Sequence, residues 1–176
     1  MALNLTDLEH VREDMLQELE SDLSQDTLYI SPRLSEAGTS QYPDLLREAI
    51  ARHDEDWLAG EIRSRHLLRT HEIRHTKRGQ VRAKVPVTAP ETLAEGEFNR
   101  FYVRGVCCSS LAGGETEVEV YRAKPVSDPR PESQRKVGSR VAAESLLSDL
   151  RTHPGVDTAL GIPAGPNSGL SVRRAR

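Results

Sequence analysis

Residues 71–75 read His-Glu-Ile-Arg-His, the H-E-x-x-H spacing. On a helix, His71 and His75 lie one turn apart and can share a zinc ion, with Glu72 as general base. That chemistry needs a third ligand, which only an unmarked carboxylate such as Glu95 or Glu97 would supply. Thr76-Lys77-Arg78-Gly79 follows in place of a metzincin continuation, and the neighbouring arginines repel a cation. A solvated basic helix end is the competing and favoured reading.

A second chemistry-bearing set is the basic run Arg63, Arg65, Arg69, Arg74, Lys77, Arg78, Arg82 and Lys84. Clusters of this kind hold phosphate backbones by releasing counterions. The sequence shows no recognised nucleic-acid motif and no aromatic interleaving, and its pI is about 6.1. A third set, Asn99, Arg100, Arg104, Tyr121, Arg122 and Lys124, belongs to a predicted helix and the strand after it. Arg100 and Arg104 are spaced to share a helix face, and Arg122 and Lys124 a strand face. No nucleophile stands with a base, and no two carboxylates are spaced to converge, so a partner surface is the expected use. The residues expected to bind a partner are Arg63, Arg65, Arg69, Arg74, Arg100, Arg104, Arg122 and Lys124. No catalytic residue, cofactor or metal is expected.

The elements that must position these residues centre on Thr88–Lys124. Thr88-Ala89-Pro90-Glu91 fits a capping box with proline in the first turn. An unbroken segment then runs to Ala112 before Gly113-Gly114, predicting a helix of roughly 34 Å over 90–112. Val81–Val87 before it and Thr116–Tyr121 after it alternate with period two. Strand, helix, strand predicts a right-handed βαβ crossover with parallel strands near 81–87 and 116–122. The expected class is therefore α+β.

Upstream, Leu8, Val11, Met15, Leu19 and Leu23 recur at helical spacing among acidic residues, predicting an amphipathic helix capped by Asn4 or Thr6. Thr27–Ser31 is expected as a short strand and 32–41 as loop. Pro43 is expected to open a second helix, and helical spacing then continues from Trp57 to His75. Downstream, 125–131 reads as a connector and Arg140–Arg151 as a short helix. The tail from His153 is punctuated by Pro163, Gly165, Pro166 and Gly169 yet carries Leu160, Ile162, Leu170 and Val172, as an extended arm does. The implied organisation is an acidic arm-like extension over 1–41, one α+β core over 42–152 and a C-terminal arm over 153–176.

Charge is polarised along the 176 residues. Residues 1–61 carry 15 acidic side chains against 4 arginines, and 62–85 carry 8 cations against one glutamate, within a net charge of −3. Hydrophobic residues make up 36% and aromatics 4%, so the core should be modest and a partner surface or self-association would complete the burial. No signal peptide is expected, because the N-terminus lacks a charged start followed by an apolar run, and no membrane span, because no apolar run reaches ~18 residues. Cys107 and Cys108 are adjacent on the predicted helix and diverge by ~100°, which excludes a disulfide between them.

The strings VPVTAPETLAEGEFNRFYVRGVC, VYRAKPVSDPRPES and GIPAGPNSGLSVR together resemble an uncharacterised family found in tailed-phage and prophage genomes. The resemblance covers roughly Leu45 to Val172 and leaves out the first 40 or so residues. It implies a virion structural protein from the head gene region, acting on capsid or portal proteins in the virion or the host cytoplasm. It carries over no catalytic residues. Nucleic-acid binding through 63–84, and zinc hydrolysis at His71, Glu72 and His75, are the alternatives that the residues themselves raise.

Overall fold

The computed structural model describes residues 2–155, 161–162 and 168–175. Its elements, in chain order, are α1 (Leu8–Ser24), α2 (Glu36–Arg52), α3 (Glu55–Ser64), β1 (His71–Thr76), β2 (Gly79–Lys84), α4 (Ala89–Ala112), β3 (Glu117–Arg122), α5 (Pro131–Lys136), β4 (Arg140–Ala142), α6 (Ala143–Thr152) and β5 (Leu170–Arg174). Helices outweigh two small antiparallel sheets, so the class is α+β.

α4 is the axis. Its 24 residues put Phe98, Phe101, Tyr102, Val103, Val106 and Cys107 into the core from nearly all sides. A helix apolar around most of its circumference is one wrapped by others, and here α1, α3, α6, β3 and β5 surround it. α1 lies closest. A Cβ on Gly105 would stand 2.7 Å from Met15 Cγ and 3.1 Å from the Val11 carbonyl oxygen, so only glycine lets the two backbones approach. Val11, Met15 and Leu19 are fully buried in that contact. The acidic N-terminal helix is thus a wall of the core and not an arm. Ahead of it, Asn4 N–H donates to the Ala123 carbonyl at 2.8 Å, and its carbonyl accepts from Tyr121 Oη at 2.6 Å.

The expected parallel crossover does not form. β3 runs antiparallel to β4 on one side and to β5 on the other, giving the order β4-β3-β5. The stretch expected to pair with it, around Val81, turns back on β1 instead. Lys77-Arg78 is a two-residue loop between Thr76 and Gly79, and Gly79 supplies the positive φ (+117°) that the turn requires.

Several local expectations are corrected. α3 stops at Ser64, and His66 takes φ +53°, so no helix reaches His75. α2 begins at Glu36 with Pro43 inside it, because the Ser35 hydroxyl accepts from Gly38 N–H and caps it seven residues earlier than proline signalled. Thr27–Ser31 is not a strand. Thr88 makes no side-chain cap; its carbonyl accepts from Thr92 N–H and Oγ1, while Glu91 pairs with Arg63. Residues 140–142 are strand, and the helix follows from Ala143.

The C-terminal segment is not a free arm either. Leu170 and Val172 are fully buried, and β5 is held against α4 by Asn99, whose amide donates to the Leu170 carbonyl at 2.8 Å and accepts from Ser171 Oγ at 2.7 Å. The expectations for Leu160, Pro163, Gly165 and Pro166 lie outside the described residues. No helix among the described residues is long and apolar enough to cross a membrane.

Candidate functional site

The eight cations expected to meet a partner fall into two groups. Four are spent on the body. Arg104 is buried at 4% exposure, where its guanidinium is bidentate to Asp22 at 2.7 and 2.8 Å and its Nε donates to Glu18 at 2.7 Å. It also stacks over Phe101, 4.9 Å from the ring centroid. Arg151 adds a second cation to Glu18, its Nε at 3.0 Å. Burial alone would push the Glu18 carboxyl up; the hydrogen bonds and charges of Arg151 and Arg104 outweigh it and hold the group at about 2. Arg100 donates to the carbonyls of Leu150 and His153, at 3.2 and 2.6 Å, and ties α6 to α4. Arg122 donates to the Ser168 carbonyl at 2.6 Å and to Gln134 at 3.0 Å. Lys124 pairs with Glu95. These groups do not form one surface.

The other four divide between the end of α3, where Arg63 and Arg65 stand, and the β1–β2 hairpin, which Arg69 precedes and to which Arg74 belongs. Arg63 pairs with Glu91, and Arg65 with Glu61 at 2.6 Å. Arg69 Nε donates to the Leu34 carbonyl at 3.0 Å, and Arg74 pairs with Glu72 at 2.7 Å. The hairpin itself is solvated: from Ile73 to Arg82 every residue is exposed, including Ile73 at 58% and Val81 at 50%. Six residues per strand give a ribbon about 20 Å long. Its root is fastened. Arg33 Nε donates to Glu72 at 2.6 Å, Arg69 N–H to the Arg33 carbonyl at 2.8 Å, and Val85 N–H to the Thr70 carbonyl at 3.0 Å.

The register makes the ribbon two-faced. Residues directly opposite one another in an antiparallel pair share a face. His71↔Lys84, Ile73↔Arg82 and His75↔Gln80 therefore define one face, and Glu72↔Ala83, Arg74↔Val81 and Thr76↔Gly79 the other. The first carries two cations, two histidines and no carboxylate. The second has its charges cancelled between Glu72 and Arg74, with Val81 at its centre.

This placement removes the zinc reading. His71 and His75 are four residues apart on a strand, ~13 Å along it, and Glu72 points to the opposite face from both. The hydrogen bonds of Arg33 and Arg74 hold the Glu72 carboxyl below its ordinary range, so it is a fixed anion serving the fold. Among the described residues, no three metal-ligating side chains gather. Cys107 and Cys108 are free, and burial pushes both thiols up to about 12, away from the thiolate that nucleophilic chemistry needs.

No protein-family model, curated protein or solved structure matches the chain. The basic run 63–84 pointed to this region from sequence, but Arg33 did not, because it reaches the hairpin from 39 residues upstream.

Proposed function

We propose that this chain is a non-enzymatic structural component of a phage or phage-like particle that docks on a capsid or portal protein through its hairpin. The observation that carries the reading is the neutral ribbon face centred on Val81. A two-stranded hairpin alone is marginal in water, yet this one stands clear of the body with a large aliphatic residue half exposed in mid-face. Val87, just beyond β2, is a second exposed aliphatic residue, at 87%. The outer edges of β1 and β2 offer unpaired backbone groups to a neighbouring strand. The resemblance of the central and C-terminal strings to tailed-phage and prophage proteins favours a particle as the setting, where symmetry multiplies a weak contact.

The test is co-sedimentation of the purified chain with capsids and portal rings of its phage. Wild-type chain should pellet in fixed stoichiometry. The Val81→Ser variant, neutral and on the surface, should lose at least tenfold in affinity while melting at the wild-type temperature. A chain that stays in the supernatant at micromolar concentration, or a Val81→Ser variant that pellets equally, refutes it.

A further inference from the structure

We infer that the opposite face of the hairpin, together with the hollow at its root, is a binding site for the phosphodiester backbone of a nucleic acid. The inference stands apart from the docking reading because Val81 lies on the other face of the ribbon and does not line the hollow. His71, His75, Arg82 and Lys84 share that face with Ile73 and Gln80, and Lys77 and Arg78 form the tip. Arg82, Lys84, Lys77 and Arg78 have no carboxylate within ion-pairing distance among the described residues.

At the root an open hollow of about 430 Å³ takes its lining from both faces: His71 and Arg82 from this one, Glu72 with Arg33 upon it from the other, and Arg69 from the chain leading into β1. Its single carboxylate, Glu72, is already held by Arg33 and Arg74. Arg69 uses only its Nε on the Leu34 carbonyl, which leaves both terminal amino groups to donate. The hollow and the face thus present guanidinium and ammonium donors over ~20 Å with no unpaired carboxylate between them among the described residues.

A ligand of one charge sign over that length selects for a nucleic acid. A protein surface presents both signs, and its lysines and arginines would find no carboxylate here. One strand of duplex DNA carries a phosphate every ~3.4 Å of axis, so the ribbon spans about six. A two-stranded ribbon also fits the ~12 Å major groove, where Ile73 would meet base edges and thymine methyls.

The experiment is fluorescence anisotropy of the full chain with a labelled 20-base-pair duplex and its single strand, at 50 and 200 mM NaCl. Micromolar binding at 50 mM is expected. With about four phosphate contacts, affinity for the duplex should fall roughly a hundredfold over that fourfold rise in salt. The double variant Arg82→Ala, Lys84→Ala should lose at least tenfold and flatten the salt slope by about 1.8. Both side chains are solvated, and an unchanged circular dichroism spectrum checks the fold. Val81→Ser should bind DNA as wild type does, so a failure here and a failure of docking are told apart. Absence of binding at 50 mM, or a double variant that binds equally, overturns the inference. Displacement of DNA by 10 mM inorganic phosphate at constant ionic strength would assign the hollow to a free phosphate ion. Equal competition by poly-glutamate would assign the face to an acidic polypeptide. Either result overturns it.

Discussion

Replacing Arg104 with methionine tests whether the join between α1 and α4 is electrostatic. The guanidinium makes three charge-assisted hydrogen bonds of 2.7–2.8 Å to Glu18 and Asp22, all three side chains being almost wholly buried. Removing one partner of a buried pair costs about 3–5 kcal/mol, because the remaining charge is left in a poor solvent. Glu18 keeps Arg151, whose side chain is half exposed, whereas Asp22 loses its bidentate partner outright. The lower end, about 3 kcal/mol, is therefore expected. For a chain of this size that lowers Tm by about 6–12 °C. Urea unfolding followed by circular dichroism reads it as a lower midpoint with unchanged slope. The triple variant Arg104→Met, Asp22→Leu, Glu18→Leu should recover most of the loss, since an apolar replacement of a whole buried network is often neutral. A single variant within about 1 kcal/mol of wild type refutes the electrostatic account. A triple variant no more stable than the single one refutes it too, and moves the cost to lost packing on Phe101.

Two further outcomes follow from the same helix. Burial pushes the Glu97 carboxyl up to about 7 against the charges of Arg100 and Arg104, while the unfolded chain releases that proton near 4.5. The native state then holds the extra proton between those values, so this residue makes stability fall as pH rises from about 4.5 to about 7. Glu97→Gln should remove that slope from urea midpoints, and an unchanged slope would refute it; Glu18 acts in the opposite sense and only below about 4.5. Asn99→Ala leaves the buried Leu170 carbonyl and Ser171 hydroxyl without their partner, a loss of about 1–3 kcal/mol. It should speed amide exchange in β5 more than in α2, and equal acceleration in both would refute a local role for Asn99.

What the sequence reveals of this fold divides by the range of the interaction. α4 is legible because its signals are local: a proline at its start, no breaker for 23 positions, and paired glycines after it. α1 is legible for the same reason, as a stripe from Leu8 to Leu23. The sheet is not. Alternation around Val81 and around Val118 is real in both places, but period two says nothing about which strand is the partner. The turn Thr76-Lys77-Arg78-Gly79 closes a local pair at less loop-closure cost than a crossover over α4. Trp57 to His75 reads as one helix because Ile62, Leu67 and Ile73 keep helical spacing, and nothing in the residue type of His66 announces φ +53°. Among the site residues, the basic run is legible as a cluster of charge but not as a hairpin, since helical spacing carries the reading on to His75, whereas Arg100, Arg104 and Arg122 are indistinguishable in sequence from surface arginines. Only the positions of Glu18, Asp22 and the Leu150, His153 and Ser168 carbonyls show that they belong to the body.

The same partition bears on how the hairpin works. Long cationic side chains of the body are tied to α1, α6 and the β5 region, so their charges are compensated where they stand and add little to a partner's approach. The ribbon is the reverse case: its root is fixed by Glu72, by two backbone hydrogen bonds and by Arg69, and its residues from Ile73 to Arg82 are exposed. Fixing the root while leaving the shaft bare limits the orientational freedom that docking would otherwise remove, and freedom already lost is not charged again to binding. It also fixes both faces relative to the body. A nucleic acid on the Arg82 face and a protein on the Val81 face would then be held on opposite sides of one ribbon, so neither needs to displace the other.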